Sequence, residues 1–342
     1  CYLYFCNMIF VTGATGMVGA NLIALFERNN VQYKALKRKS STLNIVKNVF
    51  KIHGIENKIQ NIKWVEGDIT DYPSLLQAME NCDKVVHAAG FVSFNKFDKN
   101  KLEEINIFGT ENMVNASLAL KIEKLIYISS IATLGNSDSN LITEDDFYDF
   151  GINKSYYAET KYFAEQNVWR ASAEGLNVTI LNPSVILGVG NWNSGSPKIF
   201  GQIYKGLKFY TVGKTGFVDV IDLCKIINTL IFNCKIGQKS RFIINGHNVS
   251  YKQIFKLVAN NFNVKEPKFK ATKFLLELAW RLEAILFFFL GTTPTITKET
   301  AKSAMSVKSY DNSKIVDLIK FKFIDIDITI KNYCNAYLNS LR

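Results

Sequence analysis

Thr12-Gly13-Ala14-Thr15-Gly16-Met17-Val18-Gly19 follows the apolar run Ile9-Phe10-Val11 and opens a segment, 18–29, whose apolar residues recur at helical spacing. Three glycines spaced three apart, between a strand and a helix, suit a tight turn that other backbone must approach closely. The helix presents unpaired N–H groups and the positive end of its dipole, which suits a pyrophosphate. Three glycines alone are weak evidence. Their place after an apolar strand near the chain start supplies the context a dinucleotide site requires.

Working outward from that turn, apolar runs alternate with helical stretches. Strands are predicted at 9–12, 32–37, 62–65, 84–87, 125–128 and 178–181, and helices at 18–29, 72–80, 102–120 and 157–174. Near-continuous apolar strands separated by helices predict a parallel sheet buried on both faces. The fold class is therefore α/β, a Rossmann-type doubly wound parallel sheet with a smaller, mostly helical C-terminal substrate lobe. Ligands are expected at the carboxyl ends of the strands. The dinucleotide-binding domain is read as 8–183, with 217–245 returning to it. Segments 184–216 and 246–342 form the substrate lobe. Met8 is a plausible start, so 1–7 is read as an upstream extension.

The composition narrows the function. Of 342 residues, 48% are hydrophobic and 21% charged, which is ordinary for a globular chain. The net charge of +11 is carried by scattered lysines such as Lys96, Lys121, Lys154, Lys225, Lys252 and Lys302. No run or patch points to nucleic acid, although a positive field favours anionic ligands. Cys1, Cys6, Cys82, Cys224, Cys234 and Cys334 show neither a CxxC pair nor metal-ligand spacing, so no metal is expected and reduced thiols in the cytoplasm are the simplest reading. The apolar stretch 274–290 carries Glu277, Arg281 and Glu283. No transmembrane segment is therefore expected; an amphipathic helix over the core or an oily pocket fits better, with membrane contact the lesser alternative.

The TGxxGxxG spacing resembles the extended branch of the short-chain dehydrogenase/reductase superfamily, the NAD-dependent epimerase/dehydratase family. Further stretches carry the resemblance along the chain: Gly67-Asp68-Ile69-Thr70-Asp71, His87-Ala88-Ala89-Gly90, Asn106 with Gly109-Thr110, Asn182-Pro183-Ser184, and Phe217-Val218-Asp219-Val220 with Asp222. The resemblance implies that Gly13, Ala14, Thr15, Gly16, Met17, Val18 and Gly19 hold the pyrophosphate. It places Asp68 and Ile69 at the adenine, His87, Ala88, Ala89 and Gly90 beside the cofactor, and Asn182, Pro183 and Ser184 against the nicotinamide, although Asn182 stands where the family often has Arg. Asp68 can also be read as a cap for the following helix, and His87 as a packed core histidine. Relatives often pair through helices resembling 102–120 and 157–174, so a homodimer is one assembly the resemblance allows, and the oligomeric state stays open.

At the end of the second strand an acid would hold the ribose hydroxyls of NAD, whereas basic residues welcome the extra phosphate of NADP. The chain has Lys37-Arg38-Lys39-Ser40-Ser41 and no acid there. Arg38 suits bidentate phosphate contact and Lys37 adds charge, so NADP(H) is favoured with NAD(H) as the alternative.

Tyr157-Ala158-Glu159-Thr160-Lys161 puts Tyr157 and Lys161 one helical turn apart on one face. A neighbouring ammonium and an oxidised nicotinamide are expected to lower the phenol pKa by roughly 3 units, towards efficient proton transfer. Lys161 can also bond the nicotinamide ribose. Tyr156 has Thr160, not a lysine, four residues on. Ser130 ends the fifth strand and can donate to a carbonyl oxygen as charge develops, while Ser129 should alternate to the other face. Asn106 supports a proton relay in relatives. The expected catalytic set is Ser130, Tyr157, Lys161 and Asn106, with Phe91, Phe94, Ile131 and Trp192 at the substrate.

Sugar dehydratases of the resembling branch carry Thr-Asp-Glu where this chain has Ser130-Ile131-Ala132, which argues against dehydration. The expectation is an NADP(H)-dependent oxidoreductase, similar to dihydroflavonol reductases and 3β-hydroxysteroid dehydrogenases, that reduces a carbonyl or oxidises the alcohol of a small apolar substrate. An NAD-dependent nucleotide-sugar epimerase, with Lys214 and Arg241 as phosphate ligands, stays open. So does a non-catalytic dinucleotide-binding regulator or scaffold.

Overall fold

The strands, in chain order, are β1 (Ile9–Thr12), β2 (Tyr33–Lys37), β3 (Trp64–Glu66), β4 (Lys84–His87), β5 (Lys124–Ile128), β6 (Leu141–Ile142), β7 (Val178–Pro183), β8 (Val185–Leu187), β9 (Phe209–Tyr210), β10 (Lys214–Asp219), β11 (Ser240–Ile244), β12 (His247–Ser250), β13 (Phe269–Lys270) and β14 (Ser309–Tyr310). They come from a computed structural model that describes residues 8–137, 141–150, 154–233, 235–290 and 297–341, without the side chains of 284–290. Residues 1–7, with Cys1 and Cys6, and Cys234 lie outside the described residues.

Seven strands form one sheet in the order β11-β7-β5-β4-β1-β2-β3, every pair parallel. Strands β1, β4, β5 and β7 are buried along their whole length, as expected for a sheet with helices on both faces. Alternation is visible within β1. Ile9 and Val11 join the core on one face, Phe10 the core on the other. Phe10, Phe26 and Phe50 are completely buried, each contributing roughly 2 to 3 kcal/mol of apolar burial.

The chain runs β1, β2, β3 in one direction across the sheet, then crosses back to β4 and proceeds the other way. The crevice between the ends of β1 and β4 is the topological switch point where such sheets bind ligands. Register aligns the strand ends there, Thr12 beside His87 and His87 beside Tyr127. Helix Met17–Arg28 leaves from β1, and helix Tyr156–Ala173 packs alongside helix Gly109–Ala119 on the opposite face.

Three departures from the sequence reading have local causes. Helix Asn44–Ile52, not anticipated, has no side-chain cap and buries only Val46, Val49 and Phe50. The stretch read as one helix at 102–120 contains a π segment, Glu103–Phe108, between Lys99–Leu102 and Gly109–Ala119. Phe217-Val218-Asp219 ends β10, which pairs with β8 and β12 in a separate three-stranded sheet; Val220 and Ile221 open the helix Val220–Phe232, and of these strands β11 alone rejoins the main sheet.

Asp219 and Asp222 anchor the chain's end to this second sheet. Asp219 accepts hydrogen bonds from Ile221 N (2.9 Å), Thr329 Oγ1 (2.8 Å) and Tyr333 Oη (2.5 Å), and Asp222 from Ile324 N (2.7 Å). Helix Ile326–Ser340 is thereby fixed against the β10 turn. Cys82, Cys224 and Cys334 are buried, and none is in a disulfide among the described residues. Among the described residues no group of three or more His, Cys, Asp or Glu is placed to hold a metal.

Candidate active site

The glycine turn is shaped by backbone meeting backbone. Gly13 has φ +67°, and a Cβ there would stand 2.6 Å from the carbonyl of Ala88 at the end of β4. A Cβ on Gly19 would stand 2.2 Å from Gly13 O. Gly16 N donates to Gly13 O (2.9 Å), and Gly16 caps helix Met17–Arg28 with no side-chain bond. The first amides of that helix are left for a ligand, and the bare glycine surface lets phosphates come close. Ala14 is completely buried, and Met17 and Val18 pack on the core, so these three contribute backbone.

A cleft of about 340 Å³ opens beside the turn, lined among others by Thr15, Gly16, Arg38, Ser41, Asp68 and Gly90. Leu36, Ile69, Phe91, Lys101 and Ile105 are also in its lining. Lys37 lies 3.9 Å from Glu66, while exposed Arg38 stands at the rim with its N–H donating to Ser41 Oγ (3.1 Å). Asp68 caps no helix: its carboxylate accepts from Thr70 N and Oγ1, both 3.0 Å, and Asp71 precedes the helix at Tyr72.

His87 is completely buried between two threonines. Thr12 Oγ1 accepts from Ala89 N (3.1 Å) and shares a hydrogen bond with His87 Nδ1 (2.7 Å), and His87 Nε2 shares another with Thr110 Oγ1 (3.1 Å). Burial, with the Lys161 ammonium nearby, pushes the imidazole down to about 3. This neutral histidine sets the loop 88–90.

Ser130, Tyr157 and Lys161 gather at the end of β5. Ser130 Oγ accepts from Ala132 N (3.1 Å) as the cap of the short helix Ile131–Thr133, and Ser130 also hydrogen-bonds the Tyr157 phenol. Ser129 Oγ points instead to Glu165 Oε1 (2.5 Å). Helix Tyr156–Ala173 starts at a Ser155 cap, whose Oγ accepts from Ala158 N (3.1 Å), and this sets Tyr157 in its first turn. Tyr156 faces elsewhere, its hydroxyl on Glu103 and the Lys99 ammonium 4.6 Å above its ring.

The chain's own surroundings set the resting state of the Tyr157 phenol. Burial pushes it up to about 12, with the Ser130 hydrogen bond pulling against the rise. The ammonium expected to lower it is engaged elsewhere: Lys161 Nζ donates to Tyr127 Oη (2.5 Å) and Ile128 O (2.9 Å). Burial brings Lys161 down to about 7, opposed by the charge of Glu165. The Tyr127 phenol, also bonded to Thr110, is raised well above its usual value by burial and Glu165.

Glu165, one turn beyond Lys161, is a residue the sequence reading missed. It is 1% exposed and accepts at Oε1 from Ser129 and from Asn182 Nδ2 (2.6 Å), with Thr133 Oγ1 at 2.8 Å. Asn182 Nδ2 and Thr133 Oγ1 both also reach Ser130 O, at 3.0 and 2.9 Å. One carboxylate thus clamps the whole turn that carries Ser130. Its cationic partner is Arg241 of β11 (3.5 Å), which also bonds Glu144 O and stacks 5.6 Å from Phe147. Arg241 is therefore committed inside the protein, which corrects its reading as a diphosphate ligand. Asn182 is completely buried with its amide in this network; Pro183 lies buried beside it, and Ser184 Oγ donates to Ile244 O (3.3 Å).

Asn106, in the π segment, holds the loop after β4. Its Oδ1 accepts from Phe91 N (2.8 Å), and its Nδ2 donates to Phe91 O (3.0 Å) and Thr160 Oγ1 (3.1 Å). Lys101 places its ammonium 4.5 Å over the Phe91 ring. Phe94 meets Tyr157 edge-on at 5.8 Å. Ile131 follows Ser130 and packs on the cluster of Leu134, Ile142, Ile243 and Tyr310. Trp192 is corrected: it packs on Phe200 and Tyr337 and lines a different cleft, with Asn21, His53 and Asp219, because the loop after β8 turns towards helix Ile326–Ser340.

Comparison with known proteins gives consistent results. The family described as NAD dependent epimerase/dehydratase matches residues 9–245. A putative dihydroflavonol 4-reductase of Synechocystis sp. is 28% identical over 320 residues, covering 91% of this chain and 88% of that protein. Sterol demethylase protein B of Methylococcus capsulatus is 24% identical over 311 residues, covering 89% and 90%. Among solved structures, UDP-glucose 4-epimerase from Bifidobacterium longum in complex with NAD+ and UDP superposes with a TM-score of 0.76 at 16% identity, covering 98% of this chain and 99% of that one. At that identity the likeness is one of fold.

Proposed function

The chain belongs to the NAD-dependent epimerase/dehydratase family of extended short-chain dehydrogenase/reductase enzymes, and from that premise we propose that it is an NADP(H)-dependent carbonyl reductase. Its substrate is a small, largely apolar ketone or aldehyde, handled in the cytoplasm. The dinucleotide fits the cradle at Gly13, where any Cβ would collide with Ala88, and the uncapped helix start at Gly16. Arg38, with Ser41 and Lys37, would hold the phosphate on the adenine ribose, and Asp68 and Ile69 border the adenine. Bound there, the nicotinamide supplies a hydride for the carbonyl carbon.

The chain's own residues do the rest. Ser130 turns its hydroxyl from Tyr157 to the substrate oxygen and stabilises the developing negative charge. Tyr157 then gives its proton to that oxygen, yielding the alcohol. The observation that carries the reading is the gathering of Ser130, hydrogen-bonded to the Tyr157 phenol, at the end of β5 beside the glycine cradle. A phenol protonated at neutral pH can give its proton to an alkoxide. Asn106 and Glu165 are positioning residues, the first for loop 90–91 and the second for the Ser130 turn. Phe91 and Phe94 offer apolar contact to the substrate.

Two relatives named for a dihydroflavonol and a sterol support an apolar substrate, and the internal commitment of Arg241 weakens the epimerase alternative. Phe108 and Phe163 are exposed on the neighbouring π and α segments and would form the seam of a homodimer. Incubation of NADPH with a panel of apolar ketones tests the reading. Stoichiometric oxidation is expected, falling on the order of a thousandfold in Tyr157→Phe while NADPH affinity holds. Interconversion of a nucleotide sugar without net NADPH loss would overturn it.

A further inference from the structure

Away from the site, the C-terminal lobe carries an apolar surface. Helix Lys273–Leu290 turns Leu276 and Trp280 inward against Ala271, Ala301 and Met305. On its other side Phe274, Leu278 and Leu282 recur every four residues, with Leu275 beside them. Phe274 is 76% exposed and Leu282 51%. Side chains four apart stand above one another, so these residues form a continuous stripe along the helix. Glu277 and Arg281, paired at 2.9 Å, border it. The sequence then runs Ala284-Ile285-Leu286-Phe287-Phe288-Phe289-Leu290 without a charge.

The helix grows directly out of the β9–β13 pair, where Ala271 N donates to Tyr210 O (2.8 Å). Phe209 and Phe269, both exposed, meet there with rings 5.8 Å apart. The same corner is crowded with exposed ammoniums: Lys208, Lys252, Lys256, Lys268, Lys270 and Lys273. Lys252, Lys256 and Lys268 line a cleft of about 300 Å³ in which Glu266 is the one acid, and the Lys252 ammonium lies 4.8 Å over the Tyr210 ring. Apolar side chains that project beside a cluster of ammoniums match the boundary between acyl chains and anionic headgroups. A second copy of this chain fits poorly, since association through this face would bring two lysine clusters of a +11 protein together. Among the described residues no helix is long and apolar enough to cross a membrane.

We propose that helix Lys273–Leu290, together with the lysines at the β9–β13 corner, docks the protein on the surface of a bilayer containing anionic lipids. The stripe lies in the boundary and the lysines meet headgroup phosphates. The inference is independent of which reaction the site performs.

Co-sedimentation of the full chain with phosphatidylcholine vesicles, with and without phosphatidylserine, tests it. Binding is expected to be at least about tenfold tighter with phosphatidylserine and to weaken as salt rises. Leu278→Asp with Leu282→Asp should abolish it. Lys268→Glu with Lys270→Glu alters only exposed positions, leaving the fold intact, and should reduce binding about tenfold. Equal binding to both vesicle types, no binding to either, or an unaffected lysine variant would overturn the proposal. So would a dimer, seen by sedimentation equilibrium without lipid, that Leu278→Asp splits.

Discussion

The cleft around Gly13 is made of backbone, whereas the corner around Ser130 is made of side chains. At the first, Gly13, Gly19 and the Ala88 carbonyl fit so closely that no Cβ can enter. At the second, Glu165 collects Ser129, Thr133, Asn182 and Arg241, which arrive from β5, the short helix after it, β7 and β11. The first should tolerate almost no change of shape and the second almost no change of charge.

The largest expected effect tests the first half of that statement. Gly19→Ala forces a Cβ to 2.2 Å from Gly13 O, backbone that cannot swing away. We expect a loss of about 3 kcal/mol in unfolding free energy, read by denaturant titration, together with loss of NADPH binding. A normal fold that still binds NADPH would show the turn to be softer than its geometry.

The second half is tested by Glu165→Gln, which keeps shape and removes charge. Turnover should fall about a hundredfold through displacement of Ser130, with KM for NADPH little changed. The pH profile supplies the sharper readout. The Glu165 carboxylate favours protonated Lys161, which burial has already brought to about 7. Without it the Lys161 pKa falls further, so activity that needs the ammonium disappears at lower pH than in the parent. A profile that keeps its basic limb would leave Glu165 a purely structural residue.

Arg38→Ser reaches the rim of the cleft, where backbone gives way to an exposed side chain. NADPH affinity should drop about tenfold and NADH affinity should stay, as measured by fluorescence titration. Equal loss of both would move the phosphate contact elsewhere. The smallest effect belongs to His87, at the border of the two regions. Its folded pKa, about 3, lies below the ordinary 6.5, so the neutral form is the one that folds. The stability it lends is full above pH 6.5 and is lost as pH falls towards 3. Between pH 7 and 5.5 the loss should be about 1 kcal/mol, and His87→Asn should remove that slope.

The same contrast explains what could be read beforehand. The glycine turn, the alternating strands and the order Ser130, Tyr157, Lys161 are local patterns, and the fold class and family follow from them. Glu165 shares a helix face with Lys161, and that spacing was the available signal; its partners Asn182 and Arg241 are distant in sequence and meet it only through the strand order β5-β7-β11. Tyr127 was likewise hidden, because an alternating strand says which face a side chain takes and not that Lys161 will reach it. Trp192 was misplaced for want of the path of the loop after β8.

The π segment Glu103–Phe108 has a consequence for recognising such sites in other chains. In it the bonds run from i to i+5, so residues five apart come round to neighbouring positions. Lys101, in the turn just before the π segment, and Asn106, within it, are five apart, and both grip Phe91, one over the ring and the other at the backbone. A search for helical pairs at three or four residues passes over them. Deleting a single residue between them would leave the pair four apart in an ordinary helix, still on one face, whereas inserting one would swing them apart, so at this point the length of the chain matters as much as the identity of its residues.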